Sequence, residues 1–209
     1  MSCRLSGGVS TPDDLWTMIS RSRDGWGPIP ESRFSTDAYY HPNPQKRGCF
    51  NTKNGYFMNQ DLSQFDAPFF NITEQEAIAM DPQQRQLLEC TYEALESAGI
   101  RKDTLSGASM GVFVGATSSS YQMGTLRDLN QVPLFNSTGN HQSIQAARIS
   151  HYFNLRGPCL SIDTACSSSL YALHAAVQSL RSGETDSAIV AGCSLHLQPD
   201  DMVSMSMLG

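Results

Sequence analysis

Apolar positions recur at helical spacing in several stretches of this chain, and capping residues mark where each should start. Thr11-Pro12-Asp13-Asp14 combines a capping hydroxyl, a proline at the first helical position and acids against the dipole. Leu15, Met18 and Ile19 form the expected inner face of that helix. Thr73-Glu74-Gln75-Glu76 has the form of a capping box for a short helix ending before Pro82. Asp81-Pro82 then opens a longer one, with Leu87, Leu88, Tyr92, Leu95 and Ala98 on one face and Gly99 past its end. Arg85 and Glu89 stand one turn apart on it, a pairing worth only a few tenths of a kcal/mol. An amphipathic helix is expected over about 141–153. In the last helix, Leu170, Leu173, Val177 and Leu180 repeat, and Gly183 supplies the stop.

Between these helices lie short apolar runs that read as strands: 110–115, the Cys159, Leu160 and Ile162 stretch, and 188–192. The last lacks alternation and is expected to be covered on both faces. Strands alternating with helices predict an α/β fold with a mostly parallel sheet between helical layers. Residues 25–66 break the pattern with Pro, Gly, Asn and aromatics, and read as one long ordered loop. Phe34, Tyr39, Tyr40, Phe50, Tyr56, Phe57 and Phe65 argue against disorder there. A Ser-rich loop with Tyr121 follows the first strand. No internal repeat or low-complexity tract is present.

The candidate chemistry sits at 163–169, Asp-Thr-Ala-Cys-Ser-Ser-Ser. A strand turning sharply into a helix raises its turn residue at the end of a sheet. The turn also directs a helix N-terminus, with its partial positive charge and unpaired N–H groups, toward the Cys166 sulfur. Both effects favour thiolate, the nucleophilic form. Small neighbours leave room for a thioester. The competing interpretation is a buried, inert cysteine, which strand-turn-helix context alone leaves equally open. A hydrolase elbow is a weak alternative, because it needs glycines where Thr164 and Ser168 stand.

Charged residues are only 16% of the chain, against roughly 25% in typical domains, which suits a piece of a large α/β body. The net charge of −6 offers no basic stripe for nucleic acid or an anionic membrane. No apolar run approaches the roughly 20 residues of a membrane span, and residues 1–5 lack a signal-peptide core. Cys3, Cys49, Cys90, Cys159, Cys166 and Cys193 show neither metal-ligand nor disulfide-framework spacing, which points to a reducing, cytoplasmic setting.

Other candidates have blander explanations. His174 is two helical turns past Cys166 and out of reach, and His41, in a Pro/Asn loop, is expected to be solvated. His141, His151 and His196 read as structural or exposed. Cys49 follows Lys46 and Arg47 but has no general base nearby. Cys90, Cys159 and Cys193 are expected to pack in helix and strand interiors, as are Met202, Met205 and Met207 near the C-terminus.

The run Gly157-Pro158, then 161–170 (Ser-Ile-Asp-Thr-Ala-Cys-Ser-Ser-Ser-Leu), resembles the active-site signature of β-ketoacyl synthases of the thiolase-like superfamily. Cys3-Arg4-Leu5-Ser6-Gly7-Gly8, Asp13-Asp14-Leu15-Trp16, Arg23-Asp24-Gly25-Trp26 and Met80-Asp81-Pro82-Gln83-Gln84-Arg85 resemble ketosynthase domains of multidomain polyketide synthases. His41-Pro42-Asn43-Pro44 through Arg47-Gly48 is similar to the fungal, iterative, reducing branch. The resemblance runs in order along the chain. It implies a thiolase-like layered fold, of which 1–209 is the N-terminal part, cut at both ends. It implies decarboxylative condensation of an acyl group held on Cys166 with a malonyl-carrier thioester, aided by two histidines that lie outside this stretch. Asp163 and Thr164 are then expected to shape the strand end and a dimer contact. No metal and no diffusible cofactor is implied: substrates arrive on the phosphopantetheine of an acyl carrier protein. The implied partners are carrier and acyltransferase domains of the same polypeptide and a second copy in a homodimer. The rival is an inactive fragment serving only as a dimerisation or structural module.

Overall fold

The computed structural model describes residues 1–117 and 119–208, in two compact units. One comprises residues 2–61 with the stretch from His196 onward; the other comprises 62–195 with Met1.

In the smaller unit, α1 (Pro12–Ser20) starts with the expected cap at Thr11, and the cap proves to be reciprocal. The Asp14 N–H donates to Thr11 Oγ1 (3.1 Å) and the Thr11 N–H to Asp14 Oδ2 (3.0 Å). The hydrogen bond with Thr11, joined by bonds from Ser10, holds the Asp14 carboxyl below its ordinary range. Ile19 departs from expectation: it is exposed, as is Trp16, so only Leu15 and Met18 turn inward. The long loop carries short elements of its own: β1 (Gly27–Pro28) paired antiparallel with β2 (Asn54–Gly55), and one turn of helix, α2 (Thr36–Tyr39). Its order comes from aromatics: buried Phe50 has an edge-on contact with Phe34 and stacks on Tyr39. His41 is half-buried, not freely solvated, and its Nδ1 accepts the Asn43 N–H. In a helix at Asp200–Ser206, Met205 is exposed, as is Met207 just past it, contrary to the packing expected of them.

The larger unit begins with α3 (Glu74–Ala79) and α4 (Pro82–Ser97), capped by Thr73 and Asp81, followed by the short α5 (Lys102–Leu105). Of the expected box at Thr73 only the Glu76 N–H to Thr73 Oγ1 half forms, the Glu76 carboxylate pairing with Arg148 instead. Leu87, Leu88 and Leu95 are buried as their spacing predicts, while Ala98, just past the last helical residue, is exposed. The strand β3 (Met110–Ala116) is wholly buried. Beyond it, the serine-rich stretch forms a helix, α6 (Ser120–Thr125), where a loop was expected; Ser118 lies outside the described residues. Ser119 Oγ accepts the Gln122 N–H and so starts α6. The short α7 (Asn136–Asn140) leads into α8 (Gln142–Tyr152), then β4 (Cys159–Ile162), α9 (Ser168–Ser182) and β5 (Ser187–Cys193).

The three strands pair in parallel in the order β4-β3-β5. Alternation along β3 separates two faces. Met110, Val112, Val114 and Ala116 join Leu88, Ile149 and Phe153 in the main core, against α4 and α8. Gly111, Phe113 and Gly115 face α9, where Phe113 packs on Ala172 and Ala176. On that side the helix meets the sheet through small residues, and one expectation fails. The Leu170, Leu173 and Leu180 stripe of α9 is exposed, while Ala172, Ala176 and Ser179 are its buried face. Strand β5 is not covered on both faces: it ends the sheet, and Val190 is exposed.

Candidate active site

Strand β4 delivers the chain to Asp163, and the next five residues fold into an elbow held by their own polar groups. Asp163 Oδ1 accepts the Ala165 N–H at 2.9 Å. Ser168 Oγ accepts the Thr164 N–H at 2.9 Å and donates to the Ala165 carbonyl at 2.6 Å. Ser167 Oγ donates to the Thr164 carbonyl and lies 2.9 Å from the Thr164 hydroxyl. Between these clamps Ala165 sits at φ +55°, a left-handed conformation costing a residue with a Cβ on the order of 1–3 kcal/mol. Cys166 comes next, exposed, with α9 starting two residues later.

Glycines on the neighbouring strands let α9 begin this close to the sheet. A Cβ on Gly115 would lie 2.4 Å from the Ser169 nitrogen, and one on Gly192 would lie 2.2 Å from Ser169 Oγ. The helix start differs from expectation in one respect. The Ser167 and Ser168 N–H groups are already bonded to the Thr164 and Ala165 carbonyls, so they are not unpaired donors.

No other expected or dismissed group converges on the thiol. Among the described residues no histidine is hydrogen-bonded to Cys166: His174 is exposed on α9, His141 and His151 are exposed on or beside α8, and His196 lies 3.4 Å from Asp201. Cys159 is exposed on β4, contrary to its expected packing role, because β4 is an edge strand. Burial nevertheless raises its thiol pKa, against a hydrogen bond from Ser150 that lowers it. Cys193 does pack inward, 3.6 Å from Gln145 Oε1, and burial, with the Asp81 carboxylate, pushes its thiol up to about 12. All six cysteines are free, and no metal-holding cluster occurs among the described residues. A cleft of about 760 Å³ is lined by Tyr92, Ile100, Lys102 and Tyr152, remote from the elbow in sequence and touching none of its residues.

Sequence reasoning missed a buried polar corner on the opposite face of the sheet. Asp81 accepts both the Gln83 N–H (2.8 Å) and its side-chain amide (3.0 Å), and Gln83 Oε1 accepts the Leu195 N–H. Arg148 reaches from α8 to Gln84 Oε1 (2.8 Å) and pairs with Glu76 at 2.6 Å. The available signal was a run of four polar residues, Gln83 to Gln86, directly before the apolar Leu87 and Leu88. Such residues are buried only when their polar atoms find partners.

The whole chain, residues 1–209, matches the family described as beta-ketoacyl synthase, N-terminal domain. The chain belongs to that family. Among curated proteins it is 55% identical, over 205 residues, to highly-reducing polyketide synthase 1 of Aureobasidium melanogenum, covering 98% of this chain and 9% of that protein. It is 47% identical over its full length to the lovastatin diketide synthase lovF of Aspergillus terreus, spanning 8% of it. The chain thus spans less than a tenth of the length of these relatives.

Two solved ketosynthases share the fold closely. One, from module 6 of the bacillaene synthase of Bacillus subtilis 168, was crystallised as a cysteine-to-serine mutant. It superimposes with TM-score 0.87 at 37% identity, over 99% of this chain and 33% of its own. The other is the oxazolomycin ketosynthase domain OzmH KS7 of Streptomyces albus JA3453, with TM-score 0.90 at 31% identity, over 99% of this chain and 36% of its own. The expected layered, thiolase-like α/β fold with a parallel sheet is therefore that of ketosynthases.

Proposed function

We propose that this chain is the nucleophile-bearing part of a ketosynthase from an iterative, highly reducing polyketide synthase, with Cys166 as acyl acceptor. The observation that carries it is the exposed thiol on a strained strand-to-helix elbow, within a chain that matches the ketosynthase family end to end.

The Cys166 thiolate attacks the carbonyl of an acyl thioester borne on the phosphopantetheine of an acyl carrier protein. A carbon–sulfur bond forms, the pantetheine carbon–sulfur bond breaks, and the carrier thiol leaves with a proton. A malonyl-carrier thioester then loses carbon dioxide. The resulting enolate attacks the acyl carbonyl, releases the Cys166 sulfur and yields a β-ketoacyl-carrier product. The Cys166 backbone N–H supplies one oxyanion donor, a contact of a kind worth about 3 kcal/mol. Histidines that assist decarboxylation come from the part of a ketosynthase that this chain does not span. No metal or resident cofactor enters the scheme. Partners are the carrier and acyltransferase domains of one cytoplasmic polypeptide, and a second copy.

The test is to incubate the purified chain with a short acyl-N-acetylcysteamine thioester and map the adduct by mass spectrometry. An acyl group on Cys166, absent from Cys166→Ala, is the expected result. Failure of Cys166 to take the acyl group while its thiol still accepts iodoacetamide would overturn the assignment.

A second reading, a non-catalytic assembly module, is favoured by the bare leucine stripe of α9. It predicts self-association without acyl transfer. Adding malonyl-carrier protein separates competence from capture: the chain alone should be acylated yet form no carbon–carbon bond.

A further inference from the structure

Three consecutive serines follow Cys166, but their hydroxyls do different things. Ser169 is exposed, and Ser167 bonds back to Thr164. Ser168 alone is buried, at 4% exposure, and its hydroxyl bridges the two residues that precede the nucleophile. It is not a helix cap, since a cap accepts from N–H groups further along the helix, and this one accepts from Thr164, four residues back. Nor can it serve as an acid toward the sulfur. A hydroxyl has one proton, and this one is donated to the Ala165 carbonyl.

What remains is geometry. Ala165 must hold a positive φ for Cys166 to stand outward, and alanine does not stay there unaided. Ser168 spans that turn, tying the N–H of Thr164, one peptide group before the turn, to the C=O of Ala165 just after it. Its own position is fixed because the end of β3 abuts it: a Cβ on Gly115 would lie 2.5 Å from the Ser168 carbonyl carbon. We infer that Ser168 is the positioning residue of the nucleophile, its hydroxyl clamping the left-handed Ala165 turn so that the Cys166 sulfur is presented to an incoming thioester. This rests on the proposed role of Cys166.

The experiment compares the full chain, Ser168→Ala, Ala165→Gly and the double variant. Acyl-N-acetylcysteamine and iodoacetamide are the probes, and adducts at Cys166 and at exposed Cys159 are quantified separately. Ser168→Ala should slow both reactions at Cys166 about tenfold, as misplacement of a reacting group does. Alkylation of Cys159 should stay within about twofold, reporting that β4 is intact. Glycine adopts positive φ without a clamp, so Ala165→Gly in the Ser168→Ala background should bring Cys166 back to within about threefold of wild type. Equal Cys166 rates in wild type and Ser168→Ala, parallel slowing at Cys159, or no recovery in the double variant would each overturn the inference. If wild type takes no acyl group, the functional reading fails, while the iodoacetamide comparison still tests the clamp.

Discussion

The two faces of the central sheet are built on different terms. Against α4 and α8, β3 presents Met110, Val112, Val114 and Ala116, and large side chains fill the space: Leu88, Ile149 and Phe153 are almost fully buried. Against α9 it presents Gly111, Phe113 and Gly115, and the helix answers with alanines. Leu160 and Val190, in register with Phe113 on that face, are partly bare, and the leucines of α9 point away from the sheet. The thick face holds the fold together, and the thin face brings a helix start close enough to the strand ends to build the Cys166 elbow. Large side chains on the thin face would push α9 away from the strand ends and displace the nucleophile.

Leu88→Ala on the thick face should have the largest effect on stability, about 3–4 kcal/mol, read as a fall in the chemical denaturation midpoint. Gly115→Ala should come next at about 2 kcal/mol, because its methyl would meet the backbone of Ser168 and Ser169. Unlike Leu88→Ala, it should also lower iodoacetamide labelling of Cys166 under native conditions. Leu173→Ser, on the outward side of α9, should stay within about 0.5 kcal/mol and reduce self-association in sedimentation. A cost for Leu173→Ser as large as that of Leu88→Ala would erase the distinction between the faces. The last effect is one of pH, and it is absent at neutrality. Folding raises the Cys193 thiol from about 9 to about 12, so its contribution is intact below pH 9 and is lost as pH climbs toward 12. Cys193→Ser should flatten the alkaline limb of a stability-against-pH curve and leave the neutral region unchanged.

The sequence made the thick face legible and the thin face only half so. Capping residues Thr11, Thr73 and Asp81 all act as their chemistry suggests, and the Leu87, Leu88 and Leu95 face is buried. For α9 the leucine stripe correctly marks a helix, ended by left-handed Gly183, while the side that meets the sheet is the one that carries Ala172 and Ala176. Periodicity reports that an apolar face exists and says nothing about what covers it. Ala172 and Ala176 gave no hydrophobic signal, because close approach selects small residues and not oily ones. The elbow was visible at Cys166, since a lone thiol at a strand-helix junction is a chemical signal. The strain was not, because it falls on Ala165, a residue that ordinarily avoids positive φ. The polar corner around Asp81 and Arg148 stayed hidden because its partners are far apart in sequence.

One crossing in the larger unit bears on how the chain reaches this state. Gly139 passes the Ala79 carbonyl so closely that a Cβ would lie 2.2 Å from its oxygen, and the Asp81 N–H closes the contact by donating to the Gly139 carbonyl. Two backbones remote in sequence meet there with no side chain between them, next to the fully buried Met80, so the crossing closes only as the core does. The chain must pay the full entropy of closing that loop before the contact returns anything. Refolding should accordingly show a slow final phase, during which helix content is already restored while the Asp81 corner is still open.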